Sequence, residues 1–175
     1  MAPADGHCYD LFKAWGGWVC IRADDDGLVG LSLPASRERA LQQAGDARHC
    51  PDHPVLAQAR AQVLQYLAGE RRAFDLPCHL VGLTAFQRAV LEAAAAIPYG
   101  QVRSYQWVAG QAGRPRAARA AGQALHRNPL PLVIPCHRVM GAAGNLVGFG
   151  SGLEMKRQLL ALECLQAGSP RPWRE

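Results

Sequence analysis

The chain has 175 residues, 49% of them hydrophobic and 19% charged, with a formal net charge of +5; this is the composition of a folded protein of one domain or two small ones, and it excludes a disordered chain. No run approaches the roughly 20 apolar residues of a membrane span, and "MAPADGHCYD" has no basic flank leading into an apolar core, so neither a membrane protein nor a secretory leader is expected. The six cysteines (Cys8, Cys20, Cys50, Cys78, Cys136 and Cys164) include no CxxC pair. That spacing does not indicate a four-thiolate zinc site, and at this length without a leader a reducing compartment is expected, with most of the cysteines acting as small buried hydrophobes and not as disulfides.

In chain order, "GWVCIRADDDGLVGLSLP" reads as two strands, with apolar residues at Trp18 to Ile21 and alternation at Val29, Leu31 and Leu33 around a turn at Asp24 to Gly27. "HPVLAQARAQVLQYLAGE" reads as a helix: Pro54 suits its first turn, Leu56, Ala59, Val63, Tyr66 and Leu67 share a face, and Gly69 supplies a stop. "RRAFDLPCHLVGL" reads as strand and linker. These residues make a small sheet-and-helix domain over 1–83, with eight Lys/Arg against ten Asp/Glu.

A second domain is expected over 84–165, where nine Lys/Arg face three Asp/Glu and no acidic residue occurs from Ala93 to Gly152. Its first helix starts at a capping box, Thr84 with Gln87, carries Phe86, Val90, Ala93 and Ile97 as one stripe, and ends at Pro98 and Gly100. Ser104 caps a short helix over Tyr105 to Ala109, Gly110 to Pro115 forms a turn, and Arg116 to Leu125 forms a second helix rich in Ala and Arg. Short helix, turn and arginine-bearing helix is the pattern of a helix-turn-helix. A one-sided basic segment points to a polyanionic partner, although a solvated arginine face produces the same pattern. A last helix spans Glu154 to Leu165, and 166–175 reads as a tail.

The stretch "LPLVIPCHRVMG" then poses a chemical question. A cysteine is a nucleophile only as thiolate, and a free thiol has a pKa near ~8.5, so it needs activation. "PCHR" sets His137 and Arg138 beside Cys136, while Pro135 stiffens the approach. In an extended segment neighbours point opposite ways, so His137 is expected to act through a water, with a carboxylate holding its tautomer. Glu163 suits that role, since Glu92 and Glu154 fall at solvent-facing positions. On the dipeptide alone an inert buried cysteine is the reading to prefer, since His7–Cys8, His49–Cys50 and Cys78–His79 are adjacent pairs too.

"NPLPLVIPCHRV", "SYQWVA", "RPRAARAAGQAL" and "GFGSGLEMKRQLLALE", in this order from about Phe86 to Glu163, resemble the O6-alkylguanine-DNA alkyltransferases, the methylated-DNA–protein-cysteine methyltransferases. "GLVGLSLP" and "PVLAQARAQVLQYLAGERRAFDLP" resemble the family more loosely. The resemblance implies an α/β protein: a ribonuclease H-like sheet-plus-helix domain followed by a mostly helical, winged-helix-like domain with a helix-turn-helix. It implies that Cys136 accepts the alkyl group from O6-alkylguanine, or from O4-alkylthymine, once and irreversibly. His137 would be its base, Glu163 would orient His137, and Asn128 would link the reactive turn to the recognition helix. Arg119 would fill the place of a flipped base, with Tyr105 pressing on the adjacent phosphate and Arg116 and Ala118 also at the DNA. The guanine pocket would be lined by Tyr105, Pro131, Val139, Phe149, Gly150 and Ser151, the last governing tolerance of bulky groups.

Small side chains on the Ala-rich helix suit approach to a minor groove, and flipping a base costs a few kcal/mol. The expected partner is double-stranded alkylated DNA, bound by a monomer that can cooperate along it, in the cytoplasm or a nucleus. No cofactor is expected, because sulfur is the final acceptor. Some family members hold zinc in the first domain; here the positions near Gly27 and Leu28 are Asp-rich, and His49, Cys50 and His53 with Cys78 or His79 make at most a partial set, so no metal is expected. A lesion-binding module without transfer, and a helix-turn-helix regulator with a sensing thiol, are the readings from other classes.

Overall fold

The computed structural model describes residues 7–142 and 144–168, and the chain divides at Val81/Gly82 into two compact units. In the first, strands β1 (Cys8–Ala14), β2 (Gly17–Asp24), β3 (Gly27–Leu31) and β4 (Arg48–His49) form one sheet in the order β3-β2-β1-β4. The pairs β1–β2 and β2–β3 are antiparallel, while β4 joins β1 in parallel. β1 and β2 meet at Trp15 and Gly16, both at positive φ (46° and 72°), as a tight hairpin turn of the strand-matching hand requires. Asp24 Oδ1 accepts from the backbone N–H groups of Asp26 and Gly27 to close the next turn.

Helix α2 (Pro54–Leu67) packs on β1, β2 and β3 with Leu56, Ala59, Val63, Tyr66 and Leu67, the face expected from the sequence. The short helix α1 (Arg37–Gln42) covers β2 from elsewhere, where Cys20, Ala40 and Ala44 pack with Tyr9, Leu11 and Trp18.

The strands β1 and β4 and the helix α1 have no counterpart among the elements read from the sequence, and the strand expected within residues 71–83 is reduced to one isolated bridge, Cys78 with Leu28. β1 turns Cys8, Asp10, Phe12 and Ala14 into the core while Leu11 packs elsewhere, so its hydropathy does not alternate. Buried Asp10 is tolerated because Arg60 of α2 reaches it at 3.1 Å. Cys8 and Cys50 are paired as a disulfide with Cα atoms 5.5 Å apart, which overturns the expectation for these two residues; the β1–β4 pairing brings them together. The disulfide takes Cys50 out of the partial His/Cys set, while His79 faces Asp24, Nδ1 to Oδ2 2.7 Å, and with Asp24 and Asp26 forms a group of three side chains whose ligand atoms lie within 4.8 Å of one another.

In the second unit α3 (Ala85–Ala95) starts at the Thr84–Gln87 capping box, both of whose hydrogen bonds form. Val90, Ala93 and Ile97 are buried. β5 (Arg103–Ser104) leads into α4 (Tyr105–Gln111), capped by Ser104, and α5 (Ala118–His126) packs across α3 and α4. α4 runs two residues beyond the expected Ala109, and α5 begins two residues after Arg116. Pro115 fits neither helix interior and keeps Arg114 to Ala117 in the turn. β6 (Val139–Met140) pairs in parallel with β5, and α6 (Leu153–Ala167) closes the unit against the segment between them. α6 takes in the first residues of the expected tail; 169–175 lie outside the described residues.

Candidate active site

After α5, Asn128 holds the loop that carries the nucleophile. Its Nδ2 donates to the Ile134 carbonyl at 2.8 Å and its Oδ1 accepts from Leu130 N–H at 3.0 Å, so both ends of the Leu130–Ile134 turn hang on one side chain. Within that turn Leu132 sits at φ 75°, a left-handed conformation unusual for a bulky residue, and is held there by burial. Pro135 follows at φ −80°, ψ 64° with Cys136 N–H donating to Ile134 O at 2.8 Å, an inverse γ-turn. Cys136 to Arg138 then form one 3-10 turn. The sequence reading took this segment as extended; the structure winds it, because Pro135 turns the chain just before the thiol.

The turn buries three reactive side chains together. Cys136 is 7% exposed and His137 0%. Glu163, one turn before the end of α6, is also 0% exposed and receives His137 Nε2 at 2.6 Å. Arg138 donates to the same carboxylate from Nε (2.9 and 3.0 Å) and Nη2 (3.0 Å), and from Nη1 to Ile97 O at 2.7 Å. Gly100 N–H adds a further bond at 2.9 Å. Burial alone would raise the Glu163 pKa, but His137 and Arg138 outweigh it and hold the carboxyl down at about 2. Burial pushes His137 below its ordinary value despite Glu163. The cluster is therefore electrically balanced with imidazole neutral: one carboxylate, one guanidinium. An ionised carboxylate only accepts, so Nε2 carries the proton and Nδ1 is the basic nitrogen.

Burial raises the Cys136 thiol, partly offset by the Asn128 side chain, the charge of Lys156 and backbone N–H groups. The resting group is a thiol that needs a base. Tyr105 is pushed up to about 12 by burial and by the charge of a Cys136 thiolate. Its hydroxyl donates to Val147 O or Gly148 O, both at 3.1 Å. Tyr105, Ala118, Arg119, Gly122, Val147 and Gly148 border an open groove of about 590 Å³ beside α5.

The structure thus brings Cys136, His137, Glu163 and Asn128 into one cluster, and Tyr105, Ala118 and Arg119 to one groove. Arg119 is exposed on α5, and Arg116 is exposed in the turn before it. Val139 is buried on β6, Pro131 is half-buried in the nucleophile loop, and Phe149, Gly150 and Ser151 lie in the loop before α6. Sequence reasoning missed two participants. Arg138 was read as a neighbour of the thiol but clamps Glu163 instead. Lys156, fully buried, lies seven residues before Glu163 and so on the same face of α6, a spacing visible in the sequence.

Comparison with known proteins agrees in both units. The family model for the 6-O-methylguanine DNA methyltransferase ribonuclease-like domain matches residues 9–80, and that for the 6-O-methylguanine DNA methyltransferase DNA binding domain matches 85–165. The constitutive methylated-DNA–protein-cysteine methyltransferase of Bacillus subtilis is 49% identical over 148 residues, 84% of this chain and 89% of its own. The methylated-DNA–protein-cysteine methyltransferase of Methanosarcina acetivorans is 36% identical over 155 residues, 89% of this chain and 97% of its own. The crystal structure of the Mycobacterium tuberculosis protein in complex with DNA superposes with a TM-score of 0.80 at 36% identity, covering 94% of this chain and 96% of that one. With both of its units matched in order, the chain belongs to the 6-O-methylguanine DNA methyltransferase family.

Proposed function

We propose that this protein, as a DNA alkyltransferase, flips O6-alkylguanine out of duplex DNA and transfers the alkyl group to Cys136 once per molecule. His137 Nδ1 takes the thiol proton through a water, and the sulfur attacks the alkyl carbon. The carbon–O6 bond breaks, its electron pair returns to the guanine ring, and the ring takes up a proton in place of the alkyl group. Glu163 keeps the imidazole in the Nε2–H form throughout, and Arg138 keeps Glu163 ionised.

The observation that carries this reading is the buried Cys136 thiol beside an imidazole locked by an ionised carboxylate. The thioether product is inert to ordinary thiol exchange, hence a single turnover. Ala118 and Gly122 keep the groove face of α5 small enough for a minor-groove approach, while Arg119 takes the vacated place in the stack and Arg116 meets phosphate. O4-alkylthymine presents the same reacting carbon and is a second substrate. The protein acts as a monomer, cooperating along DNA in the cytoplasm or a nucleus, and requires no cofactor, since the sulfur keeps the group.

The test is intact mass after incubation with a duplex containing O6-methylguanine, beside Cys136→Ser. A gain of about 14 Da, one CH3 replacing the thiol proton, saturating at one per chain and absent from the variant, is expected. Tight lesion binding without a mass gain would make the protein a damage sensor; neither gain nor lesion preference would favour a regulator.

A further inference from the structure

Alkyl transfer leaves three histidine–cysteine dipeptides unused, and the fold joins two of them: His7–Cys8 at the start of β1 meets His49–Cys50 at the end of β4. The disulfide between them spans 42 residues of sequence. The stretch it fastens has little else to hold it. Among the described residues none from Gly45 to His53 is buried, so this connection between α1 and α2 puts no side chain into the core. Its ties to the sheet are few. Arg48 N–H donates to His7 O at 3.0 Å and Cys50 N–H to Tyr9 O at 2.9 Å. His49 Nε2 lies 3.6 Å from Asp10 Oδ1, and its ring tilts against that of Tyr9 with centres 5.1 Å apart. Two backbone bonds, one half-exposed ion contact and one ring contact do little to offset the backbone freedom lost along the whole stretch.

The disulfide itself is open to solvent on one side. Cys8 is buried, but Cys50 is half-buried, and the exposed Arg48 donates from Nε to Cys50 Sγ at 3.4 Å. The reachable sulfur therefore has a cation beside it, which draws an incoming thiolate. Buried Cys20 and Cys164, by contrast, sit among apolar side chains. We infer that the Cys8–Cys50 disulfide is a redox-operated clasp: oxidised, it fastens the Gly45–His53 stretch to the sheet edge, and reduced, it releases that stretch while the rest of the sheet stays folded. The remainder is held without it, by Val19, Ile21, Leu28, Leu56 and Val63 in the core under α2. Opening needs a small thiol such as glutathione. Its thiolate attacks Cys50 Sγ, the S–S bond breaks, and Cys8 leaves as a thiolate that takes a proton from water. A second glutathione displaces Cys50 from the mixed disulfide. The protein disulfide has then gained two electrons and two protons, and the two glutathiones leave joined as their own disulfide.

The test compares the air-oxidised full chain with the same chain treated with glutathione under native conditions, and with Cys50→Ser as a permanently open form. Free thiols are labelled with iodoacetamide and located by peptide mapping, and native trypsin cleavage after Arg48, inside the stretch, is timed against cleavage after Arg22 in β2. Before reduction Cys8 and Cys50 are expected linked and unlabelled, and after it both labelled. Cleavage after Arg48 is expected at least about tenfold faster in the reduced and Cys50→Ser chains, with cleavage after Arg22 unchanged. The first melting transition is expected about 10 °C lower in both. Free Cys8 and Cys50 in the oxidised chain, a bond that glutathione opens only in denaturant, or an unchanged rate at Arg48 overturns the inference. Equal acceleration at Arg48 and Arg22 also overturns it, since the disulfide would then staple the whole sheet. If Cys50→Ser does not fold, the glutathione-treated wild-type chain decides alone. None of these readouts uses Cys136, so the result stands apart from that of methyl transfer.

Discussion

Replacing Glu163 with glutamine tests the charge balance of the buried cluster directly. The glutamine side chain has the shape of the protonated acid, so the variant is a permanent version of the wild-type protein below the carboxyl pKa. The carboxyl titrates at about 2 in the fold against an ordinary 4.5. That difference corresponds to about 3 kcal/mol of stability at neutral pH. Because the folded pKa is depressed, this stabilisation is present in full above the ordinary value and is lost as pH falls through about 2. An independent argument reaches the same size: Glu163→Gln leaves Arg138 buried without its counter-charge, a loss of about 3–5 kcal/mol in comparable sites.

The assay is urea unfolding of both proteins by circular dichroism from pH 7 down to pH 2, following the transition of the second unit. The expected outcome is a variant about 3 kcal/mol less stable at pH 7, with the gap closing towards pH 2. A gap under about 0.5 kcal/mol at pH 7, or one that does not narrow in acid, would refute the assignment of Glu163 as an ionised partner of His137 and Arg138.

Arg119→Ala should change stability by less than about 0.5 kcal/mol, since the side chain is exposed. Methyl transfer from duplex DNA should fall at least about tenfold while Cys136 carbamidomethylation stays unchanged; parallel loss of both would place Arg119 in the chemistry instead of at the DNA. Asn128→Ala removes both bonds that brace the nucleophile loop and should lower stability by about 1–3 kcal/mol in thermal or urea unfolding. Its transfer rate should drop further than its folded fraction does, and a rate that tracks the folded fraction would make Asn128 purely structural.

Local interactions made much of this protein legible. The Thr84–Gln87 capping box, the Ser104 cap, the α2 stripe and the proline before Cys136 all act within a few residues, so they are written in the sequence and appear in the fold. The choice of Glu163 over Glu92 and Glu154 also followed from its apolar neighbours, and those two residues are exposed. Strand β1 escaped because Asp10 faces the core and Leu11 packs outside it, a pattern that makes sense only with Arg60 and the cluster around Cys20 in place.

What tertiary structure alone decided is how charge and sulfur are partnered. Cys8 meets Cys50 through a parallel strand pair, His79 meets Asp24 across 55 residues, and Arg138 turns from the thiol next to it towards a carboxylate 25 residues away. Lys156 reaches carbonyls 17 and 9 residues away. Hydropathy and spacing record which residues are buried, because burial follows local periodicity. They do not record which buried charge faces which, because that depends on where separate segments of chain converge in a medium too apolar to leave a charge alone.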